Sequence, residues 1–403
     1  MKKAFIFAAA AALALAACSK NEVIGNIDSV PENIPIGFSN YAPRALTKAN
    51  ADNYASGATL VNEAEFDVWG WYTANGTSFT GANGTQFFSN WYTVTYKTDG
   101  GTDGTKNDYP DGPRYWPTGN TPNWLSFYAW YPSNSGHISA PASGGFGAFT
   151  FTAESSAAYQ VDFMVSDVVA DQTYNKANSN PGTNSGTDGT VALTFKHQLT
   201  KVQVKFKTTS AIVNDANTNI VVNSAAFGNI NNTGTLTTEG LLKDTNGKYS
   251  DDTEYDSSAN PTCAIRTAWS AQSGTAGYTI AVPAAALTAS ADYTVAPADV
   301  FLMVPQTMNA PTRDTNGDVT SDTSAQFIDV TWTITTAGIA TQNTKRIYLD
   351  ECYSADGGST LANIDWDKNN SVIYVITIDP KQLLFTGTAA GWDDNTTGYY
   401  SIN

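Results

Sequence analysis

Apolar residues along this chain recur in short runs with a period of two, and Gly, Asn, Asp and Pro separate the runs at close intervals. This is strand-and-turn patterning, and no long segment carries the 3.6-residue spacing of an amphipathic helix. In Phe66-Asp67-Val68-Trp69-Gly70-Trp71-Tyr72 both alternating faces are apolar, and the same holds from Trp124 to Tyr131. Both strands are therefore expected to be covered on two sides. Val191, Leu193, Phe195, His197 and Leu199 share one parity, whereas Val202, Val204 and Phe206 share the other. A bulge or a turn near Thr200 would account for the change of register. Further strands are expected at 278–282, 300–304, 328–334, 345–349, 372–378 and 383–386. The pairs Asn75-Gly76, Asn83-Gly84, Asn246-Gly247 and Asn316-Gly317 fit tight turns in which both residues take a positive φ. The segment 174–189 is Asn, Ser, Gly and Thr with almost no apolar residue, which makes it the candidate linker. The fold class is all-β, without an evident internal repeat.

Composition adds size and sign. With 41% hydrophobic and 12% aromatic residues in 403, the chain can fill two cores. Its formal net charge of −16 repels polyanions, so neither nucleic acid nor an anionic membrane surface is an expected partner.

The search for chemistry is mostly negative. His137 and His197 are the only histidines, so a nucleophile–His arrangement would need one of them, and neither has a supporting motif. His197 sits inside an alternating strand and reads as structural. No Gly-x-Ser-x-Gly elbow, phosphate loop or dinucleotide fingerprint occurs. A carboxylate pair for glycoside hydrolysis depends on spacing in the fold, but most aspartates lie in turn-like stretches. Asp314-Thr315-Asn316-Gly317-Asp318 opens like a calcium loop, yet glycine stands fourth instead of sixth and the twelfth residue is Ala325. A hairpin turn explains it better. No metal, no cofactor and no catalysis are expected. Ten tryptophans could form a sugar-stacking platform, but Trp69, Trp71, Trp124 and Trp130 stand in dense apolar strands, where core packing is the simpler reading.

The start of the chain carries the clearest signal. Lys2 and Lys3 precede an uncharged apolar run from Ala4 to Ala17, the order of a secretory signal and too short to span a bilayer. Leu15-Ala16-Ala17-Cys18 resembles the lipobox of bacterial lipoproteins, which implies cleavage before Cys18 and acylation of its thiol, such as with palmitate. Loss of 1–17 removes two lysines and no acid, taking the net charge from −16 to −18. Export would permit a disulfide between Cys263 and Cys352, although buried free cysteines are common and sequence does not set their distance. Ile34, Ile36 and Phe38 alternate on one face, with Pro35 on the other, as in a short edge strand that seals a sandwich. A proline-broken basic stretch, Ala42-Pro43-Arg44-Ala45-Leu46-Thr47-Lys48, follows it and could be read by a protease.

Several stretches together resemble the fimbrillin family, the lipoprotein-precursor subunits of type V pili. They are Phe66 to Tyr72, Arg114-Tyr115-Trp116-Pro117, Leu125-Ser126-Phe127-Tyr128-Ala129-Trp130-Tyr131-Pro132, Leu193 to Val202, Phe301-Leu302-Met303-Val304-Pro305-Gln306, and Leu384-Phe385-Thr386 with Trp392. The resemblance implies two tandem β-sandwich domains of transthyretin-like topology. On that reading 1–17 is the signal peptide and 18–44 a lipidated propeptide with the removable edge strand Ile34, Ile36 and Phe38. The N-terminal domain is then 45–188 and the C-terminal domain 189–403. The implied partners are an arginine-specific protease cutting between Arg44 and Ala45, with Lys48 a poorer match, and other pilin subunits. The outer membrane holds the precursor through its lipid until that cut. The implied donor strand lies between Lys381 and Asn403, with Leu384, Thr386 and Trp392 as candidate groove residues. The competing class is a surface lipoprotein that binds glycans.

Overall fold

A computed structural model describes residues 35–41, 64–74, 77–96, 107–108, 112–117, 123–133, 136–141, 145–173, 190–242, 263–289, 300–351, 364–380 and 383–391. The first eleven strands are β1 (Gly37–Tyr41), β2 (Ala64–Thr73), β3 (Thr85–Gln86), β4 (Tyr92–Tyr96), β5 (Asn107–Asp108), β6 (Trp124–Tyr131), β7 (Ile138–Ser139), β8 (Ala148–Thr152), β9 (Met164–Ser166), β10 (Val169–Gln172) and β11 (Thr190–His197). Then follow β12 (Thr200–Thr208), β13 (Thr218–Ile230), β14 (Thr233–Leu242), β15 (Cys263–Ser273), β16 (Ala276–Ile280) and β17 (Phe301–Met303). The last are β18 (Thr312–Arg313), β19 (Val319–Ser321), β20 (Phe327–Thr336), β21 (Ile339–Tyr348), β22 (Asn370–Ile378) and β23 (Leu383–Gly391). Among the described residues the only α-helical stretch is one turn, Ser210–Val213. The fold is all-β.

The first sheet runs β1-β11-β9-β6-β2-β4-β5, with β10 also on β6 and β3 on β2. Its central strands are covered on both faces, as the double apolar patterning predicts. Phe66, Val68, Leu125, Phe127, Ala129 and Tyr131 pack with Phe38, Val191, Leu193 and Phe195 on one side. Trp69, Trp71, Tyr128 and Trp130 pack with Phe149, Phe151, Leu236, Leu302 and Val304 on the other. Three strand steps separate β1 from β6. In a flat sheet that is about 14 Å, yet the Phe38 and Phe127 ring centroids are 5.4 Å apart. Phe66 and Phe195 are similarly close, at 5.7 Å. The sheet therefore curls until β1 and β11 close over β2 and β6.

The second core lies between two four-stranded sheets, β17-β12-β22-β23 and β16-β13-β20-β21. Val202, Val204, Phe206, Val372, Tyr374, Ile376 and Ile378 meet Ile220, Val222, Phe227, Ile328, Val330 and Trp332 in a single cluster. A third four-stranded sheet, β15-β14-β8-β7, straps the halves together, because β8 pairs with β14 from Thr152↔Thr233 to Ala148↔Thr237. The Trp269 indole N–H on β15 donates to the Gln198 carbonyl at 2.7 Å.

Two expectations need correction. The register change near Thr200 is neither a bulge nor a reversal. β11 ends at His197 in the first sheet and β12 begins at Thr200 in another, so the two parities face two different cores. β11, which follows the 174–189 stretch, pairs with β1 and β9 in the first sheet. At Asn316-Gly317 only Gly317 has a positive φ, +87°. Gly317 N–H donates to Asp314 O at 3.1 Å, and Asp314 N–H to Asp318 O at 2.9 Å, so this is an i→i+3 turn closed by a glycine rather than a two-residue turn. At Asn83-Gly84 neither residue has a positive φ, which falls instead on Gly81 at +80°. Asn75-Gly76, Asn246-Gly247 and the 174–189 stretch lie outside the described residues.

Candidate functional site

The feature that stands apart chemically is the slot holding β1. β1 pairs in parallel with β11, from Gly37↔Thr190 to Tyr41↔Thr194. Parallel pairing cannot come from a hairpin, and here the two strands lie far apart in the sequence. On its other side the start of β1 meets the 112–117 segment. Pro35 bridges to Tyr115, and Ile36 N–H donates to Arg114 O at 2.7 Å. Pro35 has no N–H, so the ladder toward 112–117 depends on the residues that follow it. Ile36 and Phe38 are each 1% exposed. The Phe38 ring stands edge-on to Phe127, and so does Trp116, at 6.3 Å and 88°. The Tyr92 hydroxyl donates to Gly112 O, and the Arg114 guanidinium lies 4.9 Å above the Tyr92 ring, fixing the second wall.

Burying Ile36 and Phe38 contributes about 1.5–3 kcal/mol each, which five ordered strand residues largely offset in lost backbone entropy. β1 is thus tightly packed but weakly committed. Its counterpart at the opposite end, β23, is the edge strand of the second core. It runs antiparallel to β22 over nine residue pairs, from Asn370↔Gly391 to Ile378↔Leu383. In that register Leu384 stands opposite Thr377 and Thr386 opposite Val375.

Other sequence candidates fall in different places. Ile34, Cys18, Arg44, Ala45, Lys48, Cys352 and Trp392 lie outside the described residues, and with Cys352 goes the test of its pairing with Cys263 at the start of β15. His197 is 1% exposed, and its Nδ1 lies 2.7 Å from Asp162 Oδ2. Beside them Lys201 is 2% exposed, and burial pulls its ammonium down to about 8 against the opposing pull of Asp162. Burial and Asp162 together push the Tyr131 phenol up. This is a buried polar cluster where the chain passes between the two cores, and a substrate has no access to His197. His137 is 3.7 Å from Glu154 at the surface. The Asp314 carboxylate accepts the backbone N–H groups of Asn316 and Asp318, each at 2.9 Å, which is a turn role. Among the described residues no group of three His, Cys, Asp or Glu is placed to hold a metal ion. All tryptophans but Trp392 are described and none is exposed, which favours core packing over a sugar platform.

The Arg114–Trp116 wall of the slot was legible only as part of a resemblance. Nothing in its local pattern says that it faces Ile36, because the contact depends on the curl of the sheet.

No curated protein matches this chain. Among solved structures, a fimbrial protein from Bacteroides vulgatus is similar over 89% of this chain and 100% of its own, with 17% identity and a TM-score of 0.50. The tip fimbrial protein Mfa3 from Porphyromonas gingivalis, with C-terminal truncation, aligns over 87% of this chain and 99% of its own at 11% identity and a TM-score of 0.32. The first of these shows a shared fold. A family model described as fimbrillin-like matches residues 47–392, most of the sequence, and the chain therefore belongs to the fimbrillin-like family.

Proposed function

We propose that this chain is a structural fimbrial subunit that is exported as a lipoprotein and polymerises by exchanging its first strand. The lipid on Cys18 holds the precursor at the outer membrane. An arginine-specific protease cuts between Arg44 and Ala45, and β1 leaves with the acylated propeptide. A strand from the 381–403 segment of another copy then fills the slot. Its main-chain groups pair with β11, and its alternate side chains enter the places of Ile36 and Phe38.

One observation carries this reading. A short edge strand, remote in sequence from its partner, supplies with the residue before it two fully buried side chains, Ile36 and Phe38, to a core that is otherwise built from later residues. A strand held in this way can be replaced without refolding the rest. Treating the purified precursor with an arginine-specific protease should give a chain that begins at Ala45 and forms fibres. A new terminus after Lys48, or trimmed chains that stay monomeric at high concentration, would count against it. On cells, the residue found at the amino terminus of the mature protein distinguishes an uncut lipoprotein, which begins at Cys18, from a fibre subunit.

A further inference from the structure

Away from the slot, a pair of acids stands in the first sheet with no base beside it. Glu65 and Asp67 are two residues apart on β2, so their side chains leave the same face of the sheet, about 7 Å apart at the backbone. The residues opposite them on β4 are Thr95 and Thr93. The Thr93 hydroxyl donates to Asp67 Oδ1 at 2.7 Å, and the Thr95 hydroxyl donates to Glu65 Oε1 at 3.3 Å. On the other side of β2, the chain leaving β6 prolongs the ladder, and Ser133 N–H donates to the Glu65 carbonyl at 3.0 Å. This brings Ser133 Oγ up to the Asp67 carboxyl, where it is buried and makes no hydrogen bond of normal geometry.

Two neighbouring carboxylates repel, and loss of solvent sharpens the repulsion. Asp67 is only 7% exposed. Burial, with the Glu65 charge adding to it, holds its carboxyl above the usual range despite the hydroxyls of Thr93 and Ser133. Elsewhere in the same half a buried acid meets a base: Asp167 has Lys196 at 3.1 Å, and Asp162 has His197 at 2.7 Å. Among the described residues, Glu65 and Asp67 touch no lysine, arginine or histidine. The pair falls short of three acidic ligands, but the hydroxyls make up the number, and every group around it is a hard oxygen. Calcium takes about six to eight such oxygens in irregular geometry and completes its shell with water, whereas magnesium demands a near-ideal octahedron. Glu65 is exposed, which leaves the pair open to an ion from solution.

We infer that Glu65, Asp67 and Ser133 hold a divalent cation of calcium size, with the Thr93 and Thr95 hydroxyls orienting the two carboxylates. The ion neutralises the pair and ties the exit of β6 to β2 and β4. This site is independent of how subunits join.

The test uses the full precursor, freed of metal with EDTA. Trp130 pairs directly with Asp67 across the β2–β6 ladder and packs edge-on to half-buried Trp91 at 5.9 Å, so an ion at the pair has indoles beside it. Terbium should therefore luminesce when tryptophan is excited, and the signal should saturate. Calcium should displace it, and magnesium should do so roughly tenfold less well or worse. Glu65→Gln should weaken terbium binding roughly tenfold or more, Asp67→Asn at least as much, and Ser133→Ala by a smaller factor. In EDTA, Glu65→Gln should melt no lower than the wild type, because it relieves the repulsion, yet calcium should no longer raise its Tm. That readout separates a lost ligand from a damaged fold. No sensitised signal, a signal unchanged in both Glu65→Gln and Asp67→Asn, or displacement by magnesium as effective as by calcium would overturn the site.

Discussion

The two edge strands β1 and β23 border their sheets by opposite means. β1 is five residues long, parallel to its neighbour and remote from it in sequence; β23 is nine residues long and antiparallel to the strand just before it in sequence. The cores differ as well. The core that β1 covers is built around Phe66, Phe88, Tyr92, Trp116, Phe127 and Phe195, the second mainly around branched aliphatic residues of β12, β13, β20 and β22. Large flat rings leave deep, well-shaped pockets when a neighbour is withdrawn, whereas aliphatic interiors close by small adjustments. A replaceable strand is better suited to the aromatic core.

The largest expected effect follows from cutting after Arg44. Loss of β1 exposes the pockets of Ile36 and Phe38 and frees the β11 ladder beside them, so amide exchange along β11 should quicken by about tenfold or more, the net free energy of holding β1 setting the size. Exchange along β22 should stay as it was. Equal acceleration in both strands would mean that the two cores unfold as one unit and that the comparison fails.

A smaller contrast comes from two phenylalanines. Phe206→Ala in the second core should cost about 3–5 kcal/mol of global stability, measured by denaturant unfolding. Phe38→Ala should cost less, although Phe38 is equally buried, because its penalty is capped by the free energy of releasing β1. It should appear instead as faster local exchange in β11. A Phe38 penalty as large as that of Phe206 would show β1 to be an integral strand.

The smallest effect lies at the passage between the cores. Lys201 stays protonated up to about 10.5 in the unfolded chain and only up to about 8 in the folded one, because burial disfavours its charge. Between those values the unfolded state binds the extra proton, so stability should rise with pH across the window, by about 3 kcal/mol at most. The difference between the wild-type and Lys201→Met unfolding free energies, followed from pH 7 to 10.5, isolates this contribution. A flat difference would show that Lys201 keeps its charge in the fold.

Much of this architecture was legible in the sequence where pattern and burial coincide. The doubly apolar runs at Phe66–Tyr72 and Trp124–Tyr131 became the doubly covered β2 and β6, and the alternation of Ile36 and Phe38 became a sealed edge. β13 was not legible, since shifts between Val222 and Ser224 and between Phe227 and Ile230 break its period of two. Nor were β14, rich in threonine, and β15, rich in alanine and serine, in which the apolar period is weak. Sequence located the change at Thr200 but not its meaning, because a bulge and a move to another sheet produce the same flip of parity. As for the slot, Ile36 and Phe38 could be read locally, but Thr190 and Arg114 could not. They become its walls only through a parallel pairing and a curl that no short window contains.

The passage from β11 to β12 has a mechanical consequence. Only Gln198 and Leu199 separate the strand beside the slot from the strand at the centre of the second core, and the β8–β14 pairing bridges the same crossing. A pull delivered through the slot would travel along nearly continuous extended backbone into β12. It would load the ladders on either side in shear, so that many hydrogen bonds must yield together rather than one after another. The crossing then serves as the tendon of the subunit, and the weakest point of a stretched fibre would be the joint between copies rather than the body of any one of them.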